Sequence, residues 1–364
     1  MKNKFRILLF LLLLVAAPAA RAQVLENIWR DRILNFRPLS GEPDTLTVVL
    51  IGDVMMHAKQ LKYDCRTFLE PIRSRLASAD LAVANMEFTL AGEPYSGYPA
   101  FSAPDAYADY VADCGVDVFL MANNHILDKG KAGLRRTLER YRAMDRIRFT
   151  GAAETAQEDS LTFPLMLTAK GLRLAFINTT YGTNTGDTAG WPKVHTENKA
   201  EIQDAVLRAR RLGADWVIAL PHWGLEYQLR HSAGQEKLAR WMHDAGVDIV
   251  VGAHPHVVQD TTHIGRMPVI YSMGNAVSNM SAENTRLELL VTLRFTKDRY
   301  RNLEMLEPEL EFLWCTLPGT LTDSYATIAV KDYIGRRDLW KNPSDYDNMT
   351  ATLARVLAGT GINY

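Results

Sequence analysis

One short unit recurs along this 364-residue chain and constrains what it can fold into more than any other feature. Cys114-Gly115-Val116-Asp117 precedes an apolar run over 118–122 and leads into Asn123-Asn124-His125. Leu212-Gly213-Ala214-Asp215 precedes a run over 216–220 and leads into Pro221-His222. Ala245-Gly246-Val247-Asp248 precedes a run over 249–253 and leads into His254-Pro255-His256. A related fourth copy, Ala79-Asp80, precedes 81–84 and leads into Asn85-Met86-Glu87. A helix that stops at Gly uses the left-handed geometry glycine adopts cheaply. The wholly apolar run that follows suits a strand buried on both faces. Counted from each Asp, Glu87 arrives at +7, His125 at +8, His222 at +7, His254 at +6 and His256 at +8. An earlier run over 45–51 ends likewise in Gly52-Asp53. Five strands thus deliver carboxylate, amide or imidazole groups at their carboxyl ends, the edge of an α/β sheet where ligands bind.

Around these copies, strand-like runs alternate with amphipathic stretches to about residue 280, the signature of an α/β domain. The pattern predicts helices over 133–144, 199–212 and 233–245. It also predicts a hairpin of 161–167 with 172–178, joined by Ala169-Lys170-Gly171. Beyond Arg286 it predicts antiparallel strands over 287–295 and 303–313, then a helix over 345–358 with Ser344 as its cap. A chain 47% hydrophobic buries a large core, which excludes collagen-like, coiled-coil and disordered classes. With 41 Lys+Arg against 42 Asp+Glu it carries no global basic field, so no nucleic-acid partner is expected.

The first 22 residues read as a leader. Lys2, Lys4 and Arg6 open it, an apolar run over 7–17 follows, and Ala20-Arg21-Ala22 fits a small-x-small cleavage site. The run is too short for a typical membrane-spanning helix, and no Cys follows it to take a lipid. Cleavage after Ala22 removes four basic residues and leaves 37 against 42 acidic, a net charge of −5. The expected protein is exported, periplasmic or extracellular. Its layout is a leader at 1–22, a lead-in at 23–44, a main domain at 45–300, and C-terminal strands and a helix at 301–364 packing on that domain. Cys65, Cys114 and Cys315 match no zinc-thiolate spacing and read as structural thiols.

Asp, Glu, Asn and several His converging on one edge suit a site for one or two divalent Zn, Fe or Mn ions. A bridging carboxylate can hold two cations while imidazoles complete their shells. A single His is more often a satisfied core or loop residue, but four at equivalent strand ends form a set. Metal-free anion binding is the competing use of the edge. His57, four residues after Asp53, joins the site if its loop folds back. Trp223, Glu226 and Tyr227 follow His222 and either wall the pocket or pack on the sheet edge. His195, His231, His243 and His263 are expected in solvated surface positions.

Six motifs, in order, resemble those of the CapA family, the poly-γ-glutamate capsule biosynthesis proteins, a branch of the calcineurin-like metallophosphoesterases. They are Gly52-Asp53-Val54-Met55, Asn85-Met86-Glu87, and Ala122-Asn123-Asn124-His125 with Asp128 and Gly130. The series continues with His222-Trp223-Gly224-Leu225-Glu226-Tyr227, Gly252-Ala253-His254-Pro255-His256-Val257-Val258-Gln259 and Tyr271-Ser272-Met273-Gly274-Asn275. The resemblance covers about residues 45–280 and implies a metallophosphatase-like β-sandwich flanked by helices, four layers in the order αββα. Asp53 and His256 would bind a first metal, with Glu87 bridging. Asn124, His222 and His254 would bind a second, and His125 would be the general acid or charge stabiliser, a role open to imidazole. Asn85, Asn123 and Asn275 belong to the same motifs as further ligand or pocket candidates. Two departures stand out: Met55 occupies the place of a ligating His, and Glu87 in Asn-Met-Glu replaces an Asp of a Gly-Asp pair. In addition Ala276 replaces an aromatic, which would widen one pocket wall. The implied partners are an envelope polymer or small anionic substrate, and capsule-synthesis membrane proteins. Two functions follow, a metal-dependent hydrolase acting on a phosphoester or γ-glutamyl amide, and a non-catalytic capsule-assembly or polymer-handling subunit.

Overall fold

The computed structural model describes residues 44–186, 190–298 and 302–363, so the leader and nearly all of the lead-in lie outside the described residues. Its strands are β1 (Asp44–Val54), β2 (Leu81–Met86), β3 (Val118–Leu120), β4 (Arg148–Thr150), β5 (Ala152–Ala153), β6 (Leu165–Ala169), β7 (Leu172–Thr180) and β8 (Lys193–Val194). They continue with β9 (Trp216–His222), β10 (Ile249–Val251), β11 (Thr261–Ile264), β12 (Met267–Ile270), β13 (Leu287–Lys297), β14 (Leu303–Met305), β15 (Glu309–Thr316) and β16 (Ala326–Ala329). The main helices are α1 (Arg73–Ala77), α2 (Asp105–Asp113), α3 (Gly130–Arg142), α4 (Ala156–Thr162), α5 (Lys199–Arg211), α6 (Ala233–Ala245), α7 (Val330–Tyr333) and α8 (Pro343–Thr360).

One sheet runs β16-β15-β13-β1-β2-β3-β4, with β14 also on β13, and the other runs β11-β12-β10-β9-β7-β6. In the first, β1 to β4 are parallel; in the second, β7, β9, β10 and β12 are. Alternate residues of these strands separate into two sets. Leu46, Val48 and Leu50 of β1 pack with Phe176, Ile218, Leu220, Ile249 and Val251 of the other sheet. Val49 and Ile51 face Leu76, Tyr107, Val111, Leu134 and Leu138 of α1, α2 and α3. On the opposite side, Val217, Ala219 and Val250 face Ile202, Val206, Leu238 and Met242 of α5 and α6. The layers are therefore helix, sheet, sheet, helix, the fold class the motifs imply. Strands covered on both faces have no polar side, which is why their sequences read as unbroken apolar runs. Each fully buried Leu, Val or Phe contributes about 1.5–3 kcal/mol.

The recurring Asp has a structural job. Its backbone N–H donates to a carbonyl of the preceding parallel strand, and its carboxylate accepts that strand's next free N–H. Asp80 does this on Thr47 (3.0 and 2.9 Å), Asp117 on Ala82 (2.8 and 3.0 Å). Asp215 bonds the carbonyl and N–H of Arg173 (2.8 and 2.7 Å), and Asp248 those of Val217 (2.9 and 2.6 Å). Each hook starts a strand in register with its neighbour, so the carboxyl ends arrive together. The Gly before it closes the helix: Gly246 caps α6 at φ +98°, and at Gly115 (φ +109°) a Cβ would lie 2.7 Å from the Ala77 Cα.

Several expected elements shift for local reasons. Residues 161 and 162 belong to α4, whose cap Thr155 accepts from the Glu158 N–H, so the hairpin starts only at Leu165. The strand expected over 303–313 is two strands, β14 and β15, because Pro308 between them has no N–H to continue the ladder on β13. The last helix starts at Pro343, which suits a first turn, and Asn342 rather than Ser344 caps it. Helix α3 starts at Gly130, three residues early. The C-terminal part is integral: β15 and β16 extend the first sheet, while Met349, Leu353 and Val356 of α8 pack in the inter-sheet core. His195 is not solvated but buried, stacked on Phe163 at 3.5 Å, with Nε2 2.6 Å from Asp159 and Nδ1 3.4 Å from Glu201. Cys114 and Cys315 are buried and Cys65 partly so, all three as free thiols. Among the described residues no helix is long and apolar enough to cross a membrane.

Candidate metal centre

Asp53, Asn85 and Glu87 come from the first sheet, Asn124 and His125 from the turn after β3, and His222, His254 and His256 from the second sheet. At β1 the pairing to β2 slips between Ile51 and Asp53, which turns the Asp53 carboxylate inward. Gly52 is required there, since a Cβ would sit 2.0 Å from the Gly274 carbonyl oxygen. Its N–H donates to the buried Glu288 Oε1 at 2.6 Å. Asn178 ties the sheets beside the site: Oδ1 accepts from Met121 and Ala122 N–H (3.0 and 2.7 Å), and Nδ2 donates to the Leu220 carbonyl at 2.8 Å.

At the middle stands Glu87, fully buried. Its Oε1 lies 3.7 Å from His222 Nε2, 3.9 Å from His256 Nε2 and 4.0 Å from His125 Nε2. Neither Glu87 oxygen has a hydrogen-bond partner, and Asn85 Oδ1 and His254 Nδ1 are likewise buried and unpaired. Leaving such donors and acceptors unmet costs about 1–3 kcal/mol each, more when charged. Donors around an ion at about 2.1 Å stand roughly 3.4 Å apart, so these spacings fit a cation. Asp53, Glu87 and His222 offer ligand atoms within 4.8 Å of one another. Asp53 Oδ1 accepts from Asn85 Nδ2 at 2.7 Å, and that amide also reaches His222 Nδ1 at 3.2 Å. His222 Nε2 in turn lies 2.8 Å from Asn124 Oδ1. The residue set fits a hard-to-borderline divalent metal, with oxygen and imidazole donors and no thiolate.

Burial, reinforced by Asp53, pushes the Glu87 carboxyl well above its ordinary range. Burial works against a charge on His256, but Glu87 and Asp53 outweigh it and hold that imidazole up to about 10. Burial, then the neighbouring imidazoles, pushes His222 well down, and takes His254 to about 3. Those two rings are therefore neutral, the form that ligates.

His254 (φ +98°), His256 (φ +58°) and Tyr227 (φ +64°) all occupy left-handed backbone conformations. Non-glycine strain of this kind gathers at functional sites. His256 is aimed by Asn275, whose Oδ1 accepts from Nδ1 at 2.9 Å while its Nδ2 donates to the Thr285 carbonyl at 2.9 Å. His125 is aimed by Asp128, whose carboxylate meets Nδ1 at 2.7 Å and leaves Nε2 towards Glu87.

Other candidates sit around this centre. Asn123 is a staple, donating to the Met86 carbonyl at 2.9 Å and accepting from the His125 N–H at 3.1 Å. His57, in the loop after β1, is in neither group of described side chains able to hold an ion. His57 Nδ1 accepts from the Asn279 N–H at 3.2 Å, burial lowers that imidazole to about 4, and its ring meets Phe101 edge-on. Trp223 packs into the core under α5 and α6, with its indole N–H on the Tyr271 carbonyl at 2.8 Å. Met55 and Ala276 are buried in the core on the other sheet's helix side. Glu226 and Tyr227 are exposed at the mouth. The sequence reading gave no role to Asp128, although it lies three residues after His125 in a quoted motif. It also missed Glu288, hidden in an apolar strand, Asn184, whose Nδ2 is 3.2 Å from His125 Nδ1, and the rim tyrosines Tyr98 and Tyr181.

A two-sheet αββα sandwich with carboxylates and imidazoles at its strand ends defines an α/β protein with a candidate metal centre. The chain belongs to the family described as bacterial capsule synthesis protein PGA_cap, whose profile matches residues 47–280. It is 27% identical over 293 residues to "Capsule biosynthesis protein CapA" of Bacillus anthracis, covering 76% of this chain and 71% of that protein. It is 25% identical over 302 residues to "PGA biosynthesis protein CapA" of Bacillus subtilis (strain 168), covering 78% and 77%. Among solved structures it is similar to Haemophilus influenzae NAD nucleotidase (NadN), at 14% identity and a TM-score of 0.47, over 75% of this chain and 58% of that one.

Proposed function

We propose that this chain is a metal-dependent hydrolase acting outside the cytoplasm on a phosphoester or a γ-linked glutamyl amide of an envelope polymer. The observation that carries the reading is the pose of His125. A site built only to hold metal needs no imidazole that is fixed through Nδ1 by a carboxylate and directed through Nε2 at the centre, 4.0 Å from Glu87. A divalent cation held by Asp53, Glu87, Asn124, His222, His254 and His256 would polarise the scissile group and acidify a water. The chain's own work is to orient and to move a proton. Asp128 accepts the Nδ1 proton and sets the ring plane, and His125 in its doubly protonated form gives the Nε2 proton to the leaving oxygen or nitrogen, ending as the Nδ1–H imidazole. Exposed rings of Tyr98, Tyr181 and Tyr227 stand 6.4, 4.6 and 6.3 Å from His125, His254 and His256 respectively, a rim suited to an extended substrate.

Replacing His125 with Ala should leave metal content near wild type and cut turnover about 10²–10⁴-fold, read on a phosphatase and γ-glutamyl hydrolase panel. Normal metal with normal turnover would sink the catalytic role. It would favour the second reading, a polymer-handling subunit working with capsule-synthesis membrane proteins, which the burial of Met55 at a ligand position supports. Export rests on the leader pattern, so N-terminal sequencing of native protein should begin at Gln23; recovery of residues 1–22 would mean an uncleaved anchor.

A further inference from the structure

Glu226 is an exposed acidic side chain at the mouth that the proposed chemistry leaves without work. It rides on a turn pinned to the histidine segment at both ends. Trp223 N–H donates to the Ala253 carbonyl at 3.0 Å, and Tyr227 N–H donates at 2.9 Å to the carbonyl of Pro255, the residue between the two histidines. Gly224 makes the turn at φ +95°. The result sets a Glu226 carboxylate oxygen and one ring nitrogen each of His254 and His256 within 4.8 Å of one another. His254 Nδ1 is buried and has no hydrogen-bond partner, although its residue is only 3% exposed. Tyr181 and Tyr227 wall the same spot from two sides, over His254 and His256.

From these observations we infer that Glu226 joins His254 and His256 as a ligand of an outer divalent cation, beside the inner position of Asp53, Glu87 and His222. Two imidazoles and one carboxylate with an open fourth place are the donor set of a catalytic rather than a closed structural zinc site. The charges agree. The inner set carries two carboxylates and the outer set one, so each cation meets at least one anionic donor, and Glu226 keeps the outer ion reachable from solvent. Glu226 is exposed, so removing its charge leaves the core untouched.

The inference rests on the metal-hydrolase reading, and binding measurements separate the two. Protein stripped of metal with a chelator is titrated calorimetrically with Zn²⁺, comparing wild type, Glu226→Gln and Asp53→Asn, with circular dichroism to verify folding. Two binding events are expected for wild type. E226Q should keep the inner event and weaken the other at least about tenfold, while D53N should weaken the inner one. Electronic spectra of the Co²⁺ forms give a second readout, and E226Q should lose the bands of one of two sites. Two events in E226Q with unchanged affinities would overturn the assignment of Glu226 and leave the hydrolase reading standing. A wild type that binds no ion at all would overturn both.

Discussion

The Asp128 carboxylate serves the centre through His125 rather than by touching Glu87's ligand partners. It meets His125 Nδ1 at 2.7 Å and also accepts the Phe101 N–H at 2.9 Å, so ring and loop are held together. Asp128→Asn keeps the shape and loses the charge. It should leave metal content unchanged and lower turnover about 10–100-fold, the range seen when a carboxylate that orients an imidazole is replaced. An unchanged rate, measured at saturating substrate and equal metal loading, would mean that His125 needs no orienting partner. Asn275 acts on His256 by the same principle. Both partners were within motifs visible in the chain, yet nothing in one dimension says which of several polar neighbours meets which ring nitrogen.

Strand ends converge because each strand begins at a fixed point. The aspartates before β2, β3, β9 and β10 hook the parallel strand beside them, so a difference of six to eight residues from Asp to ligand becomes a shared edge. The hooks differ in burial, and so should their worth. Val217, which Asp248 holds, is fully buried, whereas Asp215 binds the exposed Arg173. Asp248→Ala strands a buried N–H and should cost about 1–3 kcal/mol. Asp215→Ala should cost less, because water replaces the lost acceptor. Urea unfolding ranks the two, and a D248A loss below about 0.5 kcal/mol, the level of an ordinary surface change, would refute the hook as a register device.

Across the whole molecule, stability against pH reports how burial treats charge away from the centre. Burial pushes the Glu197 carboxyl from 4.5 up to about 7. A folded value above the unfolded one means that the folded state holds the proton more tightly. The associated stability is present in full below pH 4.5 and is lost as pH rises through 7. Glu197→Gln does not titrate. It should match wild type near pH 4 and exceed it at pH 8 by on the order of 2 kcal/mol, after discounting for the partial exposure of Glu197. Equal stability of the two proteins at pH 8 would contradict this. At the same scale, the buried pair of Arg286 and Asp345 (2.5 and 2.7 Å) joins β13 to α8 and makes the C-terminal helix part of the sandwich.

Much was legible in the chain itself. Helix and strand alternation, the helix α6, and the identity of the groups at the strand ends follow from period, glycine placement and side-chain chemistry, all of which act over a few residues. Other features depend on partners far away in sequence. Pro308 breaks a strand only because β13 offers a ladder there, and His195 is buried only because Phe163, Asp159 and Glu201 close around it. Glu288 reads as an oddity in an apolar strand until Gly52, 236 residues earlier, comes to its carboxylate. Local sequence determined which chemistry is carried and at which end of each strand. Only the tertiary structure decided which imidazole nitrogen faces the centre, that Met55 turns away from it, and that Glu226 comes to stand beside His254 and His256. The reason is physical: propensity and patterning are short-range, while desolvation and hydrogen-bond geometry are set by whatever else the fold brings within about 4 Å.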